Sequence, residues 1–351
     1  MAAYILKRIL LMIPTLFGVM LITFTVTQFV PGGPVERMIS QMQSHGMGSE
    51  VSAPSPTDLY QGARGLDPER IQQLKALYGF DKPPVERFLA MMKNYLMFDF
   101  GTSYYHHESV VDLVISKLPV SMSLGLWTFL IVYAVCVPLG IKKAVRDGSH
   151  FDVTTSTIIL VGYAIPGFVL AILLIVLFGG GSFWSVFPLR GLVSDNWHEL
   201  PLMSKILDYL WHMVLPVISM SVGSLAVMTL LTKISFLEEI RKQYVLTARA
   251  QGLGENRVLY RHVFRNAIIP IITGFPGSFI TAFFTGSLLI ETIFSLDGMG
   301  LLAFQSIMDR DYPVVLGTLY FFTIIGLVSR LLSDLSYVVV DPRITFESVE
   351  R

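Results

Sequence analysis

Between Tyr244 and Pro270 the chain reads YVLTARAQGLGENRVLYRHVFRNAIIP, a stretch whose residue types point to docking rather than to bond making. Arg249, Arg257, Arg261 and Arg265, with His262 when protonated, supply donors suited to carboxylates and carbonyls. Thr247-Ala248-Arg249-Ala250 is a small-residue helical patch, and Gly252 supplies the left-handed conformation that stops helices. A short, smooth, basic helix of this kind fits a groove on another protein. An ordinary basic loop, present only to orient the chain, is the competing reading. Two other groupings could do chemistry. His106-His107 offers imidazoles for a metal, although a lone exposed pair in a loop is more often just solvated, and no metal site is expected there. Arg330 and Asp334 stand four apart on one helical face and can pair with each other.

Catalytic signatures are missing from the sequence. There is no GxxxxGK[ST] phosphate loop, no HExxH and no GxSxG, and the single cysteine, Cys136, lies in an apolar run. The chain therefore reads as neither an enzyme nor an ATP binder. With 26 Lys+Arg against 26 Asp+Glu it has no global basic field to attract nucleic acid.

The elements that position the basic stretch are membrane spans. Apolar residues make up 53% of the chain, charged ones only 15%, and mean hydropathy is +0.61. Soluble domains carry about a quarter charged residues, so this is an integral membrane protein. Ile9–Val30 is long enough for about 30 Å of hydrocarbon at ~1.5 Å per residue. It follows Lys7-Arg8 and ends in Pro31-Gly32-Gly33-Pro34 without a small-x-small cleavage site, which makes it a retained first span. Five more candidates are Val120–Gly140, Thr154–Phe178, Met213–Thr232, Ile268–Ile290 and Val314–Tyr337. Prolines 14, 138, 166, 216 and 276 fall inside spans, where neighbouring helices can re-satisfy the backbone. Lys and Arg concentrate in alternate loops, so both termini and the Tyr244–Pro270 stretch are expected in the cytoplasm.

The resulting division is 1–30 for the N-terminus and first span, 31–119 for a helical insert outside the membrane, 120–337 for the core with its cytoplasmic loop 233–267, and 338–351 for a tail. Within the insert, Ile39–Arg64 is polar and irregular, while Leu66–Tyr78 and Pro84–Met97 read as helices opened by Asp67-Pro68 and Pro83-Pro84. The first five spans contain no Asp, Glu, Lys, Arg or His; only Arg330 and Asp334 lie within the sixth. A proton- or sodium-coupled carrier normally shows a buried carboxylate or a broken-helix ion site. None is evident here, which directs attention to an external energy source. Ser278, Ala282 and Gly286 recur every four residues with Thr281 and Thr285 beside them, a small-xxx-small face for a translocation path or close helix packing. Tyr163, Ser219, Ser221 and Ser224 read mainly as interhelical hydrogen-bonding groups.

The whole chain resembles the B-type permease subunits of bacterial dipeptide and oligopeptide ATP-binding-cassette importers. YILKRILLMIPTLFGVMLITFTVTQFVPGGP is similar to that family's first span and proline-glycine turn, with Gly33 where an aspartate is usual. LYGFDKP at Leu77–Pro83 and FDFGTS at Phe98–Ser103 resemble its outer signature. TARAQG followed by RHVFRNAIIP resembles its cytoplasmic coupling signature; Leu246 and Arg265 occupy the glutamate and proline positions of the broader permease pattern. Val340-Asp341-Pro342-Arg343 looks like its C-terminal motif. The long polar insert, GARGLDP and FSLDGMG resemble the Yej-type (microcin C and oligopeptide) permeases, with Asp297 where the general family prefers proline.

The resemblance implies an all-α, six-span fold of the type I importer permease. Tyr244–Gln251 would be the coupling helix, with Tyr244, Thr247, Ala248, Arg249, Ala250 and Gly252, and Arg265 and Asn266 following it. Thr247, Ala248 and Ala250 would allow close approach of a partner, and Arg249 would donate to it. Partners implied are a second homologous permease, cytoplasmic ATPase subunits that bind the ATP and magnesium, a periplasmic peptide-binding protein, the peptide and membrane lipid. Asp297, Gly298 and Gly300 would form a loop at the periplasmic gate. A secondary carrier or channel for small polar solutes is the alternative.

Overall fold

The computed structural model describes residues 2–29, 82–179, 183–284 and 286–340. Among them helices dominate, and the only bridge outside helices is an isolated antiparallel pairing of Thr102 with Ser109. In chain order the helices are α1 (Ala2–Phe29), α2 (Pro84–Leu96), α3 (Val110–Val145), α4 (His150–Ala164), α5 (Gly167–Gly179), α6 (Leu202–Ile240), α7 (Gln243–Ala250), α8 (Glu255–Ala267), α9 (Ile269–Phe284), α10 (Leu288–Ile293), α11 (Met299–Asp309) and α12 (Tyr312–Val340). Four of them, α1, α3, α6 and α12, are long and apolar enough to cross a membrane; counting the bent pairs α4–α5 and α8–α9 as one span each gives six. The Leu66–Tyr78 helix and the Asp341-Pro342-Arg343 motif expected from sequence lie outside the described residues.

The chain divides into two compact units. One comprises Met1–Leu10, Ser116–Leu302 and Phe322–Arg351. Two apolar clusters organise it. In the first, Ile141 and Ala144 of α3, Phe236 of α6, Val245 and Ala248 of α7, Val258, Val263 and Ala267 of α8, and Ile271 of α9 come together. In the second, Leu124, Ala171, Met213, Leu215, Val217 and Ile290 pack with Phe294 and Leu296 of the turn after α10. All four tryptophans lie along the early turns of α6: the indole N–H of Trp127 donates to the Tyr209 hydroxyl (3.0 Å), that of Trp197 to the Lys205 carbonyl (3.1 Å) and that of Trp211 to the Val186 carbonyl (3.1 Å), while Trp184 packs on Phe178. Such clustering is typical of a membrane–water interface.

The other unit comprises Leu11–Ile115 and Ala303–Phe321. Its described core is aromatic. Phe88 of α2 meets Phe17 and Phe24, and Tyr95, Phe100 and Tyr320 contact one another with centroids 4.9–5.5 Å apart. Gly317 lets Phe100 and Val110 approach, because a Cβ there would come within 2.9 Å of Val110. The buried Asp311 accepts from the Ser103 hydroxyl and from the Tyr104 N–H at 3.2 Å, which fixes the turn leading into α3.

Several expected boundaries differ. α3 starts at Val110, ten residues ahead of Val120. The span drawn over Thr154–Phe178 is two helices at 92°, broken at Ile165-Pro166. Proline disfavours the helical region for the residue before it, and Ile165 sits at φ −88°, ψ 118°. Pro14, Pro138, Pro216 and Pro276 remain inside continuous helices. The span drawn over Ile268–Ile290 ends with α9 at Phe284; Ser287, extended at φ −119°, ψ 96°, then opens α10.

Candidate functional site

The basic stretch folds as two short helices with a sharp turn between them. Lys242, extended at ψ 151°, opens α7. Gly252 closes it at φ 79°, with its N–H on the Arg249 carbonyl (2.9 Å) and the Leu253 N–H on the Ala248 carbonyl (3.4 Å). This pair of bonds is the Schellman termination that a glycine permits, and Leu253 packs against the apolar cluster that contains Ala248. α7 therefore has two faces. Val245 and Ala248, three apart, are buried in the first apolar cluster, whereas Leu246, Thr247, Arg249 and Ala250 are exposed.

This corrects one expectation: Ala248 belongs to the chain's own core and is not available to a partner. Arg249 also differs from expectation in being engaged within the chain, since its Nε and a terminal nitrogen reach the two Glu255 oxygens at 2.9 and 3.0 Å. The bidentate pair joins α7 to α8 across the glycine turn. Tyr244 and Asn266 come together as a brace: the Tyr244 hydroxyl donates to Glu239 of α6 (2.6 Å), and the Asn266 amide donates to the Tyr244 oxygen (3.2 Å). Burial and the facing Glu239 carboxylate push the Tyr244 phenol above its usual pKa, which keeps it a donor. Arg265 is exposed.

Sequence reasoning missed a buried charge cluster on the helices that carry this turn. Lys143, near the end of α3, is 3% exposed. Its ammonium reaches Asp152 Oδ1 (2.9 Å), the Asp152 carbonyl (2.8 Å) and the hydroxyls of Thr155 (2.8 Å) and Ser156 (2.7 Å). Lys233 of α6 takes the other Asp152 oxygen at 2.7 Å and Asp147 at 2.9 Å. Ser149 and Asp152 cap α4 reciprocally: the Ser149 hydroxyl accepts from the Asp152 N–H, and the carboxylate accepts from the Gly148 N–H. One carboxylate thus ties α3, α4 and α6 together.

At the other end of the spans, three glycines singled out from sequence converge on a residue that was not. Glu291 of α10 is 0% exposed. Its carboxylate accepts from the N–H groups of Ser287 (3.0 Å), Leu301 (2.8 Å) and Gly300, and from the Ser121 hydroxyl (3.3 Å). Ser121 in turn accepts from the Met299 N–H at 2.8 Å. A Cβ on Gly286 would lie 2.4 Å from Glu291 Oε1, one on Gly298 2.6 Å from its carboxyl carbon, and one on Gly300 2.7 Å from the Leu288 nitrogen. Asp297, exposed, forms an ion pair with Lys117, one turn before Ser121 on α3. The loop is wrapped on a buried carboxylate. The expectation that no buried carboxylate exists is therefore corrected: Glu291 begins one residue past the drawn end of span five. Its oxygens are filled by the chain's own donors, so it anchors the loop and offers no open ion site. The signal was a glutamate ending an apolar run with glycine close on both sides.

The other path candidates separate. Thr285 lies outside the described residues. Ser278 and Thr281 are exposed and Ala282 is half-buried, while the close contact of α9 falls one position away. There the Ser329 hydroxyl donates to the Gly277 carbonyl (3.1 Å), that of Ser336 donates to the Thr273 carbonyl (3.1 Å), and a Cβ on Gly277 would sit 2.5 Å from Ser333 Oγ. Ser219 and Ser221 bond back to carbonyls of their own helix. His107 stands in a turn at φ 56°, and no group of three His, Cys, Asp or Glu side chains comes together among the described residues.

A polytopic helical core with a short amphipathic helix mounted between two of its spans is the architecture of an importer permease. Residues 136–346, more than half of the chain, match the family described as binding-protein-dependent transport system inner membrane component, and the chain belongs to that family. It is 58% identical to the peptidoglycan transport system permease protein YejB of Agrobacterium fabrum, with 99% of each chain covered. It is 52% identical to the inner membrane ABC transporter permease protein YejB of Escherichia coli O157:H7, covering 99% of this chain and 100% of that one. The dipeptide transport system permease protein DppB of Escherichia coli K12 is 33% identical over 98% of this chain and 99% of its own. The fold is that of a type I ABC importer permease in the Yej-type branch, and the chain is a multi-pass membrane protein of the transport class.

Proposed function

We propose that the chain forms one half of the translocation path of an ATP-driven importer for peptides, including oligopeptides or peptide-like antibiotics such as microcin C. The observation that carries the reading is α7. It is an eight-residue helix with one face locked into the core by Val245 and Ala248, and the other left smooth and exposed at Leu246, Thr247 and Ala250. A rigid mount and an open face are what a lever needs to receive force from another protein. The Tyr244–Glu239–Asn266 brace and the Arg249–Glu255 pair fix its angle.

In this reading both termini and α7 face the cytoplasm, and α7 docks in a cleft of an ATPase subunit that holds the ATP and magnesium. A second homologous permease supplies the other half of the path. A periplasmic peptide-binding protein delivers cargo to the outer face, where the Glu291-anchored loop with Asp297, Gly298 and Gly300 borders the gate. The likeness to DppB, named for dipeptide transport, supports the cargo class.

The test is ATP-dependent uptake of a labelled oligopeptide into vesicles holding this chain, its partner permease and the ATPase. Ala250→Arg, on the exposed face, is expected to abolish uptake and ATPase co-purification at an unchanged membrane level. Ala248→Arg is expected to lower the membrane level itself, because it forces a cation into the core. Uptake by Ala250→Arg at the wild-type rate, or uptake by the wild type without ATPase, would return the carrier or channel reading to the front.

A further inference from the structure

Arg8, Thr281, Ser329, Arg330, Ser333 and Asp334 line one cavity of about 410 Å³, with walls from α1, α9 and α12. Its charges do not balance. Asp334 accepts from Arg8 at 3.0 Å and from the Tyr4 hydroxyl at 3.1 Å, and the Arg8 Nε donates to the Tyr4 oxygen at 2.9 Å. The acid is thereby committed to α1. Arg330, expected from spacing to pair with Asp334, is exposed and has no carboxylate partner among the described residues. Among the described residues that line it, one carboxylate against two guanidiniums leaves one positive charge in excess.

The depth of the cavity follows from α1. Arg8 immediately precedes the apolar run that starts at Ile9, so it marks the level where that helix leaves the hydrocarbon. Leu6, Ile9 and Leu10 around it are exposed apolar groups suited to lipid. Arg330 shares a cavity with Arg8 and therefore sits near the same level. A guanidinium near hydrocarbon is costly unless an anion meets it, and basic pockets between membrane helices at headgroup depth accept lipid phosphates.

We propose that this cavity binds the headgroup phosphate of an anionic membrane phospholipid. Arg330 donates to the phosphodiester oxygens in the planar geometry that guanidinium and phosphate share, and the Thr281 and Ser333 hydroxyls, which also line the cavity, are further donors. The acyl chains lie along the exposed apolar face of α1. The site is separate from α7 and from the Glu291 loop, so it holds whether or not the cargo assignment does.

The full-length chain, purified with its partner subunits and reconstituted in phosphatidylcholine, is probed with spin-labelled phosphatidylglycerol and spin-labelled phosphatidylcholine. The wild type is expected to immobilise phosphatidylglycerol about fivefold in preference. Arg330→Gln should bring the ratio near one, Arg330→Lys should keep most of it, and Lys142→Gln, outside the cavity, should leave it unchanged. An unaltered preference in Arg330→Gln overturns the proposal. So does loss of the preference on adding millimolar inorganic phosphate, which would mark a soluble-anion site. A changed peptide KM for Arg330→Gln in membranes without anionic lipid also overturns it, in favour of a cargo carboxylate. A second arm needs no variant: native mass spectrometry of the wild type from an equimolar mixture of the two lipids should retain phosphatidylglycerol, and retention of neither or of both equally counts against the site.

Discussion

At the scale of single residues, Glu291 shows how a glycine pattern acquires meaning from one buried side chain. Gly286, Gly298 and Gly300 are not hinges by virtue of their backbone angles; each is small because the carboxylate, or the loop wrapped on it, occupies the space of a Cβ. Two variants test that statement together. Glu291→Ala leaves the N–H groups of Ser287 and Leu301 without their acceptor, at about 1–3 kcal/mol for each orphaned donor. Gly298→Ala costs about 1–3 kcal/mol by overpacking. Because the added methyl collides with the carboxyl group, the two should not add: in a Glu291→Ala background, Gly298→Ala should cost much less. Thermal denaturation of the four purified proteins in detergent gives the coupling, and additive losses would refute the shared-space account.

At the scale of elements, the Lys143–Asp152–Lys233 cluster makes the ends of α3, α4 and α6 a single body. Of these, α6 leads into α7 and α3 packs in the same apolar cluster as α7. Asp152→Asn leaves Lys143 buried without its carboxylate and should cost about 3–5 kcal/mol, seen as a lower melting temperature and lower membrane accumulation. Adding Lys143→Met should recover much of that loss, since a methionine fills the same volume without charge. Failure of the double variant to recover would assign the cost to the Asp152 cap of α4 instead. The break at Pro166 belongs to this scale as well. A proline within a helix is tolerated at five positions (Pro14, Pro119, Pro138, Pro216 and Pro276), yet at Pro166 the preceding residue has left the helical region, and the two halves diverge by 92°.

At the scale of the molecule, the tryptophans give a marker of placement. Trp127, Trp184, Trp197 and Trp211 collect at the early turns of α6, far along a 39-residue helix from α7. In the proposed orientation, with α7 cytoplasmic, these indoles would belong to the periplasmic interface. Tryptophan emission should be quenched more by lipids brominated near the headgroup than by lipids brominated at the chain ends. Iodide outside right-side-out vesicles should quench it further, whereas iodide trapped only inside should not. Quenching only from within would reverse the orientation and place α7 outside, away from any ATPase.

The sequence by itself determined what depends on short range. Apolar run length marked where spans lie, the proline pair opened α2, and Gly252 ended α7, because burial in lipid and backbone conformation are decided within a few residues. It also carried the family, since the coupling and outer-loop motifs are contiguous. Only the tertiary structure decided which side chains meet. Ser121 and Glu291 are 170 positions apart, and Tyr4 and Asp334 are 330 apart. Spacing along one helix suggested that Asp334 would pair with Arg330, but packing α1 against α12 offered Arg8 and Tyr4 instead. The same holds for Ala248, whose inward direction depends on where Phe236, Val258 and Val263 stand. A small residue on a short helix can serve either face, and the choice is made by the core that the helix is pressed against.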